Sequence, residues 1–287
     1  MKQRNSLSPP VFPYPWASEW GEDGYGLWQA FTYQGIRHAF RWILPGSFMM
    51  GSPDDELGRY DDEDLHSVTL SQGFWLAETT VTQALWQAVM SANPNPSPSH
   101  FKGDNRPVEQ VSWEDVQGFI EQLNQLHPEL QTRLPWEAEW EYACRAGSQT
   151  PFNFGGELTL DKVNYRGVWE YKADEWGEGA LRETAEVKTY PCNVWGLYEM
   201  HGNVWEWCED SWQSNLGKEA VCDPWQRLQP LAPDAARVVR GGSWYDYGWF
   251  VRSAIRNGYT PDLRSLNLGF RLALGHSGSG QEGGAKG

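Results

Sequence analysis

A net charge of −15 spread over 287 residues excludes a general binder of nucleic acid or of anionic membranes, because neutralising phosphate takes clustered Lys and Arg. The length fits one large domain, and 30 Gly, 18 Pro and 18 Trp make it a loop-rich one rather than a helical bundle. No stretch approaches the ~20 apolar residues of a membrane span, and the start, MKQRNSLSPPVFPYPW, breaks the apolar run of a signal peptide with Pro and polar residues, so a cytoplasmic location is expected.

In chain order, residues 1–37 carry Pro, Trp and Gly without period and predict an extended arm packed on the body. The run HAFRWILPGSFMMGS, His38 to Ser52, predicts a hairpin of two strands around Pro45-Gly46. Asp54 to Asp64 crowds like charges without EF-hand spacing and predicts a solvated loop. A helix starts near Thr82, with Leu85, Trp86 and Val89 on one face, and stops before the turn-forming NPNPSPS run. A longer one opens at Ser112 with Asp115 three residues on; it carries Val116, Phe119, Ile120 and Leu123 at helical spacing and ends before Pro128. Leu134 to Gly147 predicts a third, short helix with Pro135 at its first position and Gly147 as its stop. The tryptophans are expected to be structural, since indole covers much apolar area and its N–H satisfies a loop carbonyl. Cys144, Cys192, Cys208 and Cys222 lack CxxC and zinc spacing and are expected to be thiols serving as small buried hydrophobes.

The blocks GSFMMGS, ETTVTQALWQAVM, PVEQVSWEDVQGFIEQLN, RLPWEAEWEYACRAG, NVWGLYEMHGNVWEWCED, RVVRGGSW and NLGFRLAL occur in an order that resembles the formylglycine-generating (sulfatase-modifying factor) family. The resemblance covers residues 38–274. It implies an α+β, irregular C-type-lectin-like fold, loop-rich, with small mixed sheets and two to three helices. Residues 275–287, outside the resemblance, are expected to be a disordered tail. It also implies chemistry that this sequence departs from. The family's oxidase binds Cu(I) through two cysteine thiolates, and those positions fall on Gly248 and Ser253, with no cysteine after Cys222. Copper is therefore not expected. The six histidines (His38, His66, His100, His127, His201 and His276) are scattered singly and are expected to be surface or structural residues rather than an iron cluster. Calcium is expected where the family holds it: on the Glu199 side chain, the carbonyls of Gly202 and Val204, and the Glu206 carboxylate.

Residues 237–274 differ from the rest of the chain. Lys, Glu, Gln and Met make up 51 of the 287 residues, yet none occurs there, and six Arg face two Asp. Asn codons of the form AAC or AAT, randomised at their adenines, cannot reach Lys, Glu, Gln, Met or Trp. Between the blocks RGGSW, VRSA and LGFRLAL, residues Tyr245, Asp246, Tyr247, Phe250, Ile255, Gly258, Tyr259, Leu263, Ser265 and Leu266 are all reachable in this way, whereas Trp249 needs another adenine-bearing parent. The pattern resembles the variable region of a diversity-generating retroelement's target protein. These eleven positions are expected to bind an unknown ligand, a protein rather than a membrane or nucleic acid, and all of them but Gly258 to share one solvent-facing surface. Gly241, Gly242, Val251, Ala254, Leu268, Phe270 and Leu272 are expected to face inward. The expected function is non-catalytic ligand binding; the alternative is a formylglycine-type oxidoreductase acting on protein cysteine with a divergent metal site.

Overall fold

A computed structural model describes residues 7–92, 97–170, 175–227 and 235–275. Its elements in chain order are strands β1 (Glu19–Asp23), β2 (Gly26–Tyr33), β3 (Ile36–Ile43), β4 (Gly46–Met50), β5 (His66–Leu70) and β6 (Phe74–Ala77), then helices α1 (Gln83–Val89) and α2 (Trp113–Leu126). Strand β7 (Thr132–Arg133) and helix α3 (Glu137–Arg145) precede β8 (Trp205–Ser211), β9 (Val221–Cys222), β10 (Arg237–Arg240), β11 (Arg256–Tyr259), β12 (Leu268–Gly269) and β13 (Ala273–Leu274). This is the α+β, loop-rich architecture expected, with small sheets and three helices among the described residues. None of those helices is long and apolar enough to cross a membrane.

Three sheets form. One runs β1-β2-β3-β6-β13-β7, a second β11-β10-β8-β12 and a third β4-β5-β9. The first corrects two expectations. Within the expected arm of residues 1–37, Glu19–Asp23 and Gly26–Tyr33 are no simple arm but β1 and β2, at one side of the largest sheet, and β2 turns into β3 at Gln34 and Gly35. Both turn residues take the left-handed backbone (φ 49° and 81°) that suits a two-residue hairpin turn to strand twist. The run His38 to Ser52 does hold two strands, but they do not pair with each other. β3 lies between β2 and β6, whereas β4 pairs with β5 beyond the acidic loop, Met50 opposite His66.

The helices follow their sequence signals closely. Ser112 Oγ accepts the Asp115 N–H at 3.1 Å while Asp115 Oδ2 accepts the Ser112 N–H at 2.9 Å, a capping box that satisfies two donors at the head of α2. Its apolar stripe, Val116, Phe119, Ile120 and Leu123, is buried. Thr82 caps α1 through the Leu85 N–H, and Trp86 of α1 stacks on Phe119 of α2 with ring centroids 5.2 Å apart; Phe270 meets both edge-on. Part of the NPNPSPS run, residues 93–96, lies outside the described residues. α3 starts later than expected, with Trp136 as its cap and Pro135 outside it, and it ends through left-handed Ala146 and Gly147.

Trp75, Trp140, Trp205 and Trp207 are wholly buried, and the last three donate to Glu206, Asp246 and the Val111 carbonyl. Trp20 is an exception on the surface. Cys144 and Cys208 are buried thiols, but Cys192 is half-buried and Cys222 exposed, so only two of the four serve as core hydrophobes. Of the 275–287 tail only Gly275 lies within the described residues.

Candidate functional site

Residues 237–274 enter the second sheet as β10, loop outward, return as β11, loop again and end in the largest sheet as β13. Their arginines pin this path from inside. Arg240 reaches Glu141 and Arg256 reaches Glu137 (2.7 and 2.8 Å), both acids on α3. Arg271 makes a two-pronged pair with Glu206 at 2.6 and 2.7 Å. Arg252 binds Glu63 (2.6 and 2.8 Å) and Glu56 (2.5 Å). Arg240, Arg252 and Arg271 are fully buried. A buried guanidinium is tolerable only with carboxylate and carbonyl partners of this quality.

That pairing corrects the solvated reading of Asp54 to Asp64 in part: Asp54, Asp55 and Asp61 are exposed as expected, but the end of the loop is not. Glu63 and Asp64 are buried, and Arg252 also takes the Gly58 carbonyl at 2.7 Å, so the loop is latched against the C-terminal segment. A Cβ at Gly58 would lie 2.6 Å from Trp249 Cβ, which measures how closely the two approach. Tyr60 stacks on Phe250 with centroids 5.8 Å apart.

The inward positions are placed as expected: Gly241, Gly242, Val251, Ala254, Leu268, Phe270 and Leu272 are all buried. The outward set divides. Tyr245 is 51% exposed and Leu263 36%, while Asp246, Trp249, Phe250, Tyr259, Ser265 and Leu266 are half-buried. Ile255 is not on the surface; at 2% exposure it belongs to the main core beside Val239 and Leu268. Tyr247 is buried as well, and a Cβ at Gly258 would lie 2.5 Å from Trp212 Cγ. These three do not have the free volume a substitutable position needs.

Of the rest, Phe250, Trp249 and Tyr245 join a band of rings that passes through the buried Tyr247. Phe250, Trp249 and Tyr247 touch in sequence (6.0 and 6.2 Å), and the Arg166 guanidinium lies on the rings of Tyr247, Tyr245 and Trp176 at 4.7, 5.4 and 4.8 Å. Trp244 packs on Tyr245 and donates to the Leu266 carbonyl. Asp246 Oδ2 accepts from Trp205 Nε1 at 2.9 Å and from the Ser243 hydroxyl; burial pushes its carboxyl up to about 6 against those two bonds. Tyr60, Arg166, Trp169 and Trp176 were not singled out in the sequence. An aromatic between charges, such as Tyr60 between Arg59 and Asp61, was the available signal.

The family's metal positions do not fit metals here. A Cβ at Gly248 would stand 2.5 Å from Trp169 Cε3 and 3.0 Å from Leu158 Cδ2, so there is neither a ligand nor room for one. Ser253 is buried with its hydroxyl 3.8 Å from the Cys144 thiol, which also lies 3.7 Å from His201 Nε2. Burial pushes that thiol up to about 12 and the imidazole down to about 4. His201 Nε2 accepts the Asn153 N–H at 3.1 Å and Nδ1 faces the Val251 carbonyl at 2.7 Å, so both nitrogens are held by backbone. The cluster packs the structure with neutral groups. At the expected calcium ligands, Arg271 and Trp140 occupy Glu206, and Glu199 accepts the N–H groups of Lys188 and Tyr190 at 3.1 and 3.3 Å. Burial raises Glu199 to about 7. Arg271 takes the Glu206 charge, so of the expected set Glu199, Gly202, Val204 and Glu206 only Glu199 keeps a carboxylate without a cationic partner, a poor match to the charge calcium draws on. Among the described residues no group of three His, Cys, Asp or Glu side chains is arranged to hold a metal ion.

Comparison with known proteins agrees with this scaffold. The Sulfatase-modifying factor enzyme 1-like domain matches residues 34–275. The formylglycine-generating enzyme of Mus musculus is 36% identical over 203 residues, 67% of this chain and 51% of that protein. The enzyme of that name from Thermomonospora curvata is 32% identical over 228 residues, 75% of this chain and 72% of its own. The chain spans about half the length of the mouse and bovine relatives it matches. Among solved structures, Treponema denticola variable protein 1 superposes with a TM-score of 0.70 at 26% identity, covering 86% of this chain and 98% of that one. The chain belongs to the sulfatase-modifying factor enzyme 1-like domain family.

Proposed function

We propose that this chain is a non-catalytic ligand-binding protein whose residues 237–274 carry a diversified binding surface, the variable product of a diversity-generating retroelement. The observation that carries the reading is the division of that segment into a sealed frame and a substitutable face. Arg240, Arg252, Arg256 and Arg271 are locked to carboxylates from elsewhere in the chain, while Tyr245, Trp249, Phe250, Leu263, Ser265 and Leu266 lie partly or largely open. The likeness to a protein named as variable supports it, as does the absence of Lys, Glu, Gln and Met from the segment. Rigid aromatics with Ser and Gly between them supply contact area at small entropic cost. The positions of the family's thiolates, Gly248 and Ser253, supply no soft ligand, which separates this reading from an oxidoreductase.

Two experiments test it. Sequencing around the gene is expected to reveal a reverse transcriptase and a template repeat that differs from the coding copy only at adenines; a neighbourhood lacking both would contradict the retroelement. Incubating the purified protein with Cu(I) and a sulfatase-motif peptide is expected to leave the cysteine unchanged, and aldehyde formation would restore the enzyme reading.

A further inference from the structure

We propose that this surface takes a basic partner: a Lys- or Arg-rich stretch of a protein laid over the aromatic band, with its charges against an acidic rim. The proposal rests on the binding-surface reading above and adds the chemistry of the ligand. By formal count residues 237–274 are positive, six Arg to two Asp, which would suit an acidic ligand. The structure removes most of that charge from view: of the six arginines only Arg264 stays exposed, at 51% of its side chain, and it is paired. Arg240, Arg252, Arg256 and Arg271 face inward on Glu141, Glu56, Glu63, Glu137 and Glu206, and Arg264 is held by both oxygens of Asp115 at 2.7 and 2.8 Å. Arg237 lies flat on Trp113, 4.1 Å from the ring centroid.

The walls of the band bring the opposite sign. Asp54, Asp55 and Asp61 stand exposed on the loop that Arg252 latches beside Trp249 and Phe250. Glu157 and Glu170 are exposed next to Leu158 and Trp169, the two side chains packed against Gly248. Glu175 is exposed beside Trp176, which covers Tyr245 edge-on. Among the described residues the cations on the same side are largely engaged: Arg166 is buried beneath three rings, Lys162 lies over Phe154, and Arg59 pairs with Asp54, which leaves Asp55 and Asp61 as the loop's unbalanced acids. Arg182, over Trp176, is exposed. Among the described residues the exposed acids of these walls outnumber the exposed Arg182 and Arg264, so an acidic partner would meet mostly like charge, and an apolar one would strip water from carboxylates without replacing it. A basic segment neutralises them and sets ammonium or guanidinium groups on Tyr245 and Trp249 faces, an arrangement favourable in itself.

Panning a phage-displayed library of random dodecapeptides against the full chain tests this. Enriched sequences should be rich in Lys and Arg, and their synthetic forms should bind in low salt and be released in ~1 M NaCl. Asp61→Lys with Glu170→Lys should weaken them roughly tenfold or more, whereas Glu121→Lys with Glu129→Lys, towards the far end of α2, should leave binding intact. Neutral or acidic peptides whose binding is lost in Tyr245→Ala would overturn the basic partner and leave the binding surface standing. Basic peptides weakened equally by both pairs of reversals would mean general attraction to a chain of charge −15, which also overturns it. Enrichment of nothing sensitive to Tyr245→Ala would count against the surface reading itself.

Discussion

Arg252 and Tyr245 lie seven residues apart in the same segment, yet the first is sealed under two carboxylates while the second is half open to solvent. The contrast recurs between Arg240, Arg256 and Arg271, buried on carboxylates, and Trp249 and Phe250, partly open, although Arg264 is exposed and Trp244, Tyr247 and Phe270 are buried. It reverses the usual placement, in which charge faces water and rings fill the core. The lesson is that a surface can change identity only if its path does not depend on the residues that change. Here the path depends on guanidinium–carboxylate pairs to α3, β8 and the 54–64 loop, so the face carries little of the folding free energy.

The largest expected effect breaks the inner side. Arg252→Ala leaves Glu56 and Glu63 buried without their partner and should cost about 3–5 kcal/mol, read from urea unfolding. Ile255→Ala should cost ~2–5 kcal/mol by opening a cavity in the main core; a loss near zero would return Ile255 to the substitutable set. Gly248→Cys should lower stability by roughly 1–3 kcal/mol because its Cβ overlaps Trp169, and the single new thiol should not yield tight Cu(I) binding in a chelator competition.

Asp246 gives a pH signature. Its folded pKa, about 6, lies above the ordinary carboxylate value, so between about pH 4 and 6 the unfolded chain holds fewer protons than the folded one. Its stabilising contribution is full below that window and is lost as pH rises through it. Asp246→Asn, which keeps an oxygen for Trp205 and Ser243, should flatten that part of the stability curve; an unchanged slope would show that the decline belongs to other groups. The smallest effects belong to the outer side. Tyr245→Ala and Leu263→Ala should each stay within ~0.5 kcal/mol of the parent, and a much larger loss at either would break the contrast.

Much of the scaffold was legible because its signals are local. The Ser112 and Asp115 pair fixed the head of α2, and helical spacing fixed its buried stripe. Seven ordered blocks carried the fold class. What was not legible depends on distant partners. Local pattern located β4 as a strand but could not say that it pairs with β5 across the acidic loop rather than with β3. The burial of Glu63 is decided by Arg252, 189 residues later, so a run of like charge looked solvated. At the candidate site, codon reachability identified Tyr245 and Leu263 correctly as open positions but said nothing of packing, and Ile255, Tyr247 and Gly258 were carried along with them. The Glu199 and Glu206 carboxylates looked like calcium ligands because sequence does not reveal that Arg271 closes on Glu206.

The most direct test is a display library in which every position of residues 237–274 is replaced singly by every amino acid and sorted by resistance to proteolysis, which tracks the folded fraction. Tolerance is predicted at Tyr245, Leu263, Ser265 and Leu266 and, with smaller losses, at Trp249 and Phe250, with intolerance at Arg240, Arg252, Arg256, Arg271, Gly242, Gly248 and Ile255. A profile in which Tyr245 and Leu263 are as sensitive as Arg252 would contradict the division of this segment into frame and face, and with it the diversified-surface account.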